Sequence, residues 1–147
     1  MKNSESLSVI HAVAEKTQDM SLLIDAIPYA KLLGMKPYYI DDQACFILPA
    51  KASNVGNPTL PALHGGAIGG FMEMSATVHL MMAIEAQVAP KIVDFSIDFL
   101  RAARLEDSIA SCEIVRQGRR LVNLVITATQ GEDKTIVASA RANFLID

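Results

Sequence analysis

One long proline-free run, Leu63–Ala86, constrains the fold of this chain more than any other stretch. It reads LHGGAIGGFMEMSATVHLMMAIEA, with small residues in its first turns and Met and Leu in its later ones. The run is long enough to cross a membrane as a helix, but Glu73 and the polar groups around it disfavour a lipid environment. A largely apolar helix in a soluble chain is a buried one. The run therefore predicts a central helix that other elements cover.

Two glycine pairs, Gly65-Gly66 and Gly69-Gly70, stand in the first turns of this predicted helix. Each glycine costs about 1 kcal/mol in a helix interior relative to alanine, so a compensating contact is expected. The close approach of another backbone or of a ligand to the helix N-terminus would supply that contact.

Composition limits the classes of function. A chain of 147 residues with 51% hydrophobic and 20% charged residues is long enough for one globular domain with a sizeable core. The net charge of −3 disfavours nucleic acid and anionic membranes as main partners. The N-terminal sequence lacks the features of a signal peptide, so a cytoplasmic protein is expected. Cys45 and Cys112 match no metal-binding spacing and are expected to be buried, reduced thiols.

The pattern along the chain predicts helices first and an antiparallel sheet afterwards. Predicted helices cover Glu5–Gln18, Met20–Ala26 and Pro28–Leu33, and predicted strands cover Met35–Ile40, Gln43–Leu48, Lys91–Arg101, Ser108–Arg116, Arg119–Gln130 and Lys134–Ile146. An Asp41-Asp42 turn joins the first two strands, and Pro49–Ala62 is predicted to be a loop. Alternation places Val93 with Phe95, and Ile136 with Ala138, on inward faces.

One face of so broad a meander needs a cover, and only Gly66–Ala86 is long and apolar enough to provide it. The predicted fold is therefore α+β, a curved antiparallel sheet wrapped around one long central helix. We expect one domain over residues 1–147, with residues 1–27 as a helical segment packed on it.

The spacing of HGG at residues 64–66 and Glu73, nine positions after His64, resembles the hotdog-fold acyl-CoA thioesterases of the phenylacetate-pathway and 4-hydroxybenzoyl-CoA type. Their pattern reads HGG, six residues, then Asp or Glu. The segments IPYAKLLGM, VDFSIDFLRAA and VRQGRR extend the resemblance over nearly the whole chain from Ile27. The family usually has Asn or Gln six residues before the histidine. Here Pro58 stands there, with Asn57 next to it and Asn54 close by.

Thioester hydrolysis needs a donor for the developing oxyanion and a group that attacks or activates water. The backbone N–H of Gly65 at the helix start is the expected donor. Glu73 would act as a general base or as a nucleophile that forms a mixed anhydride, and the sequence leaves both open. Thr77, one turn beyond Glu73, is expected to orient the carboxylate or the water. His64 is expected to position the loop or the thioester.

Gly65 and Glu73 are eight residues apart, which is roughly 12 Å along a helix. One thioester carbon cannot lie ~3 Å from both groups, so the site must combine Gly65 of one subunit with Glu73 of another. The resemblance implies the same arrangement, a dimer with its two central helices side by side. A homodimer and a homotetramer, as a dimer of dimers, both fit.

Further residues are expected to contact the acyl-CoA substrate. These are Asn57 and Gly66 near the helix start, Met72 in an acyl pocket, and Arg119 and Arg120 as partners of the CoA phosphates. No metal or redox cofactor is expected, because coenzyme A is part of the substrate. The acyl group stays open between an aryl and a medium aliphatic group. The alternatives are a hotdog hydratase or dehydratase, whose motif spacing differs, and a non-catalytic module that binds acyl-CoA or an acyl carrier protein.

Overall fold

The computed structural model describes residues 20–84 and 89–147. The helices are α1 (Met20–Ala26), α2 (Pro28–Leu33) and α3 (Gly65–Ala83), with a 3-10 turn at Ala52–Asn54. The strands are β1 (Lys36–Ile40), β2 (Gln43–Leu48), β3 (Val55–Asn57), β4 (Ala62–Leu63), β5 (Lys91–Phe99), β6 (Ser108–Gln117), β7 (Leu121–Gln130) and β8 (Thr135–Leu145). The predicted helix Glu5–Gln18 lies outside the described residues. None of the helices in the described ranges is long and apolar enough to cross a membrane.

Six of the strands form one antiparallel sheet in the order β1-β2-β6-β7-β8-β5. Helix α3 packs on one face of this sheet and contacts β2, β5, β6, β7 and β8. The two short strands β3 and β4 pair with each other next to the start of α3. The predicted architecture of a sheet around one long central helix is confirmed.

The core lies between α3 and the inner face of the sheet. Period-2 alternation on β7 and β8 sends every second side chain inward, and these side chains meet the apolar positions of α3. Fully or almost fully buried members include Ile68, Phe71, Met72, Val78 and Leu80 of α3, Leu124 and Ile126 of β7, and Ala140, Ala142 and Phe144 of β8. The buried residues of α3 therefore fix this helix against the sheet, while the residues in between are only partly covered.

Two β-bulges correct the predicted alternation. The register of β5 with β8 shifts between Ile92 and Asp94, and the intervening Val93 is exposed. The register of β7 with β8 shifts so that Val137 has no partner, which leaves Val137 3% exposed and Ile136 41% exposed. The prediction that Val93 and Ile136 face inward is therefore wrong. A bulge adds one residue to a strand, and a strict period of 2 does not reveal it.

The segment Pro49–Ala62 is not the plain loop that was predicted, since it contains the 3-10 turn and strand β3. The 3-10 turn contains a hydrogen bond from the N–H of Asn54 to the carbonyl of Lys51, and β3 pairs with β4 a few residues further along the chain. At the other predicted turn, Asp41 and Asp42 both have positive φ, 48° and 64°. Two such residues make the type I′ turn that joins antiparallel strands, so this prediction is confirmed.

Candidate active site

His64 forms the corner between β4 and α3. Its backbone is extended, with φ −64° and ψ 133°, and its Nδ1 accepts a hydrogen bond of 2.8 Å from the N–H of Gly66. This is an N-cap, in which a side chain satisfies an N–H of the first helical turn. Because Nδ1 accepts, a neutral ring carries its proton on Nε2. That second nitrogen is left to donate to a ligand.

Loops on two sides hold this corner in place. The N–H of His64 donates to the carbonyl of Asn54 at 2.7 Å, and the N–H of Leu63 donates to the carbonyl of Ala103 at 2.8 Å. Gly56 approaches so closely that a Cβ there would lie 2.8 Å from the Cα of His64. Gly56 is therefore needed for close approach, a role that the sequence alone did not indicate.

Substituting Gly56→Ala is expected to destabilise the protein by about 1–3 kcal/mol, because the added methyl meets backbone that cannot move aside. Chemical denaturation of this variant beside the wild-type protein tests the prediction, and unchanged stability would contradict the packing described here.

The N–H of Gly65 is the free donor at the start of α3. The N–H of Gly66 is used by the His64 ring, and the N–H groups of Ala67 and Ile68 donate to the His64 carbonyl at 2.9 and 3.2 Å. Within residues 20–84 and 89–147 the Gly65 N–H has no acceptor. This N–H also lies at the positive end of the helix dipole. It is thus the helix-start donor best placed to stabilise an anion.

One side of the glycine-rich turns faces strand β5. A Cβ at Gly65 would lie 3.2 Å from Cζ of Phe99, and a Cβ at Gly69 would lie 3.9 Å from Ile97 and 4.0 Å from Phe95. The start of α3 therefore lies directly against the end of β5, and α3 runs along that strand toward its beginning.

The other side of these turns faces α2. A Cβ at Gly70 would lie 2.5 Å from the hydroxyl oxygen of Tyr29, and a Cβ at Gly66 would lie 2.9 Å from Nδ1 of His64. Within the described residues, the close approach at Gly66 and Gly70 is therefore made by side chains and not by another backbone.

Glu73 and Thr77 continue the ridge that begins with Gly65 and Gly69, because the four residues are spaced four apart. Glu73 is half-buried, and its carboxylate has no hydrogen-bond or ion-pair partner in the part of the chain that the structure describes. The Thr77 hydroxyl donates to the backbone carbonyl of Glu73 at 2.9 Å. In this rotamer Thr77 can accept a hydrogen bond from a water but has no proton left for the carboxylate.

Two cavities flank the His64 corner. One, of about 460 Å³, lies on the β5 side and is lined mainly by apolar residues, with one cation: Ala62, Leu63, Gly65, Ile68, Phe99, Leu100, Arg101, Ala102, Ala103 and Val137. The other, of about 370 Å³, lies on the α2 side and is lined by Tyr29, Leu32, Leu33, Ser53, Asn54, His64, Gly66 and Ala67. Gly65 and Gly66 thus separate two spaces that a ligand can enter.

A third cavity, of about 660 Å³, lies at the β6–β7 turn and is the most basic of the three. Arg116, Arg119 and Arg120 line it, and the Arg120 guanidinium forms an ion pair with Asp147. The turn lies at the sheet end where β5 begins, because Leu145 pairs both with Leu121 and with Lys91. Arg119 and Arg120 are therefore far from Gly65 of their own subunit.

The structure places one of the expected substrate contacts, Met72, fully buried in the core. Asn57 directly follows Gly56, which lies against His64, and its side-chain oxygen accepts a hydrogen bond of 3.0 Å from the N–H of Thr59. Asn54 lines the α2-side cavity beside His64. The sequence missed Tyr29 and Phe99 as neighbours of the glycines, because only the fold brings them there.

Among the described titratable groups outside the candidate site, His79 and the two cysteines have pKa values shifted by burial. Burial lowers the pKa of His79, which favours its neutral form. Burial raises the pKa of the Cys45 thiol, and burial together with the nearby Cys45 raises the pKa of Cys112 to about 12. Both cysteines are free thiols, and a raised pKa leaves them unreactive.

Comparison with known proteins identifies the family to which this chain belongs. The sequence profile of the thioesterase superfamily matches residues 60–137. A crystal structure from Chromobacterium violaceum is 41% identical, covers 93% of this chain and 96% of its own, and superposes with a TM-score of 0.75. The PaaI protein of the Escherichia coli phenylacetic acid degradation operon is 16% identical, with 99% of both chains covered and a TM-score of 0.70.

A third similar structure is a putative thioesterase from Ralstonia eutropha, described as a phenylacetic acid degradation-related protein. It is 21% identical, covers 81% of this chain and 89% of its own, and has a TM-score of 0.70. No curated protein matches the chain. The fold is the hotdog fold that the HGG and Glu73 spacing predicted. The chain belongs to the thioesterase superfamily.

Proposed function

We propose that this protein hydrolyses an acyl-CoA thioester to the free acid and CoA at sites shared between two subunits. The observation that carries this proposal is that one ridge of α3 presents two polar groups, neither of which has a hydrogen-bond partner among the described residues. The Gly65 N–H lacks an acceptor and the half-buried Glu73 carboxylate lacks a partner, both within the described residues. A helix-start N–H and a half-buried carboxylate that both lack such partners are available to a reacting molecule.

In the proposed reaction the thioester carbonyl oxygen accepts a hydrogen bond from the Gly65 N–H. Glu73 takes a proton from water, the hydroxide oxygen bonds to the carbonyl carbon, and negative charge on the carbonyl oxygen is stabilised at the helix start. Collapse of this intermediate breaks the carbon–sulfur bond, and the thiolate takes up the proton. If Glu73 attacks directly, a mixed anhydride forms first and water then cleaves it. Neither path needs a metal or redox cofactor.

Strand β5 supports a dimer that brings the two groups together. It is an edge strand, paired only with β8 among the described strands, and Phe99 at its end is exposed. An exposed edge of this kind is suited to pairing with a second copy. Gly65 and Glu73 each lie about 6 Å from Gly69 along α3. A twofold axis at the level of Gly69 therefore sets Gly65 of one subunit beside Glu73 of the other.

In the same dimer, the arginine cavity of one subunit would lie near the substrate that is bound at Gly65 of the other subunit. Arg119 and Arg120 lie at the beginning of β5, and antiparallel pairing of β5 with its copy carries them toward Gly65 of the second subunit. There they would bind CoA phosphates, for which guanidinium groups are well suited. Near the thioester, His64 Nε2 and Asn54 are the proposed polar contacts, and Gly66 lets the ligand approach α3. Met72 is left out because it is buried.

Release of thiol from a panel of acyl-CoA thioesters tests the proposed function. The panel should include phenylacetyl-CoA, since two similar structures are described by phenylacetic acid degradation, together with straight-chain acyl-CoAs of increasing length. We expect turnover of at least one thioester without added metal. Binding of an acyl-CoA without thiol release would instead support the non-catalytic module, and addition of water to an enoyl-CoA would support a hydratase.

A further inference from the structure

We propose that Tyr29 determines acyl-chain selectivity, because its ring forms the end wall of the cavity that takes the acyl group. This inference rests on the proposed function. It concerns the α2-side cavity. His64 and Gly66 line this cavity together with Tyr29 and Leu32 of α2.

We assign the acyl group to the α2-side cavity because the CoA part of the bound substrate extends in the other direction. The β5-side cavity contains Phe99, Leu100 and Arg101 at the end of β5, which is the side where the partner's arginine cavity arrives in the proposed dimer. CoA therefore extends over the β5 side. A thioester whose oxygen rests on Gly65 then has its acyl group on the opposite side of the helix start, where the α2-side cavity lies.

The position of this end wall depends on one contact, that between Tyr29 and Gly70. The cavity is lined by Gly66 and Ala67 of α3 but does not reach Gly70, one turn further along. The Tyr29 hydroxyl lies over Gly70, 2.5 Å from where a Cβ would stand. The ring therefore rests on the backbone of α3 and closes the groove at this turn. Without the ring, the groove would continue along α3 past Gly70.

The ring is also poised to contact a ligand. Tyr29 is 43% exposed and Leu32 is 67% exposed, and both line the α2-side cavity beside His64. An apolar acyl group would bury these surfaces, and each buried CH₂ contributes about 0.8 kcal/mol. If a wall stops the acyl chain from extending further, each additional CH₂ no longer contributes this binding free energy. The enzyme then discriminates between acyl chains by their length.

Substituting Tyr29→Ala is expected to raise the ratio of kcat/KM for decanoyl-CoA over that for butanoyl-CoA by about 10-fold or more. Tyr29→Phe should leave this ratio unchanged, since the ring stays in place. Adding Gly70→Ala to Tyr29→Ala places a methyl in the vacated groove and should lower the ratio again. Tyr38→Ala is the matched control, because Tyr38 is 40% exposed and lines a different cavity, at the β1 side of the sheet.

An unchanged ratio in Tyr29→Ala, or an equal loss for both chain lengths, would overturn the assignment while leaving the proposed function standing. Absence of thiol release from every thioester by the wild-type protein would overturn the function instead. Calorimetric affinities of non-hydrolysable acyl-CoA thioethers then test Tyr29 independently. The affinity of Tyr29→Ala for the longer thioether should rise, relative to that for the shorter one, by a similar factor. If the wild-type protein and Tyr29→Ala had the same preference, Tyr29 would not form the end wall.

Discussion

Replacing Glu73 with glutamine is expected to lower kcat for thioester hydrolysis by about 10²–10⁴-fold, the scale of a removed general base or nucleophile. Glutamine has nearly the same shape but can neither accept a proton at neutral pH nor attack a carbonyl. Since the Glu73 carboxylate has no hydrogen-bond or ion-pair partner in the described ranges, the substitution breaks no contact seen there. The thermal midpoint should therefore change little while kcat falls.

Initial rates of thiol release, measured beside thermal denaturation, separate these two effects. Thr77→Val is a useful companion, because it removes the hydroxyl that bonds to the Glu73 carbonyl while keeping the side-chain shape. Its effect on kcat should be much smaller than that of Glu73→Gln. If Glu73→Gln retained most of the wild-type kcat, Glu73 would be neither base nor nucleophile.

Replacing Gly65 with proline is expected to lower kcat by about 10²–10³-fold, the cost of removing one oxyanion donor. Proline deletes the N–H and nothing else that the helix needs, because Gly65 is the first residue of α3, where proline is well tolerated. The preceding His64 has the extended backbone, ψ 133°, that a residue before proline requires. The helix should therefore form normally.

Gly65→Ala is the matched control for this substitution. Alanine adds a Cβ in the same place, 3.2 Å from Cζ of the exposed Phe99 ring, but keeps the N–H. The comparison of the two variants therefore separates the loss of the N–H from the effect of a Cβ at this position. Equal activity of the proline and alanine variants would contradict the oxyanion role of the Gly65 N–H.

The sequence predicted the elements better than it predicted their details. The apolar run after His64 and the change to period 2 after Pro90 identify the central helix and the sheet, because burial on one face leaves a regular pattern. The bulges at Val93 and Val137 escaped prediction, since one inserted residue is invisible in a pattern of alternating side chains.

Some residues of the candidate site can be found from the sequence, and others can be found only from the fold. His64, Gly65 and Glu73 are found from their spacing on one segment, and the helical rise already separates the last two in one subunit. Tyr29 and Asn54 come to this corner only through packing of α2 and the 3-10 turn on the start of α3. Gly56 gives no signal in the sequence, because its role is visible only as the space that His64 occupies.

The most direct test of a site shared between subunits combines two inactive variants, Glu73→Gln and Gly65→Pro, in one dimer. Co-expression with different affinity tags allows the hybrid dimer to be purified and its thiol release measured. In the hybrid, Gly65 of one subunit meets Glu73 of the other intact in one site, while both lesions fall in the second site. We predict about half of the wild-type activity, because one of two symmetric sites is restored. Activity no higher than that of the single variants would contradict the shared site.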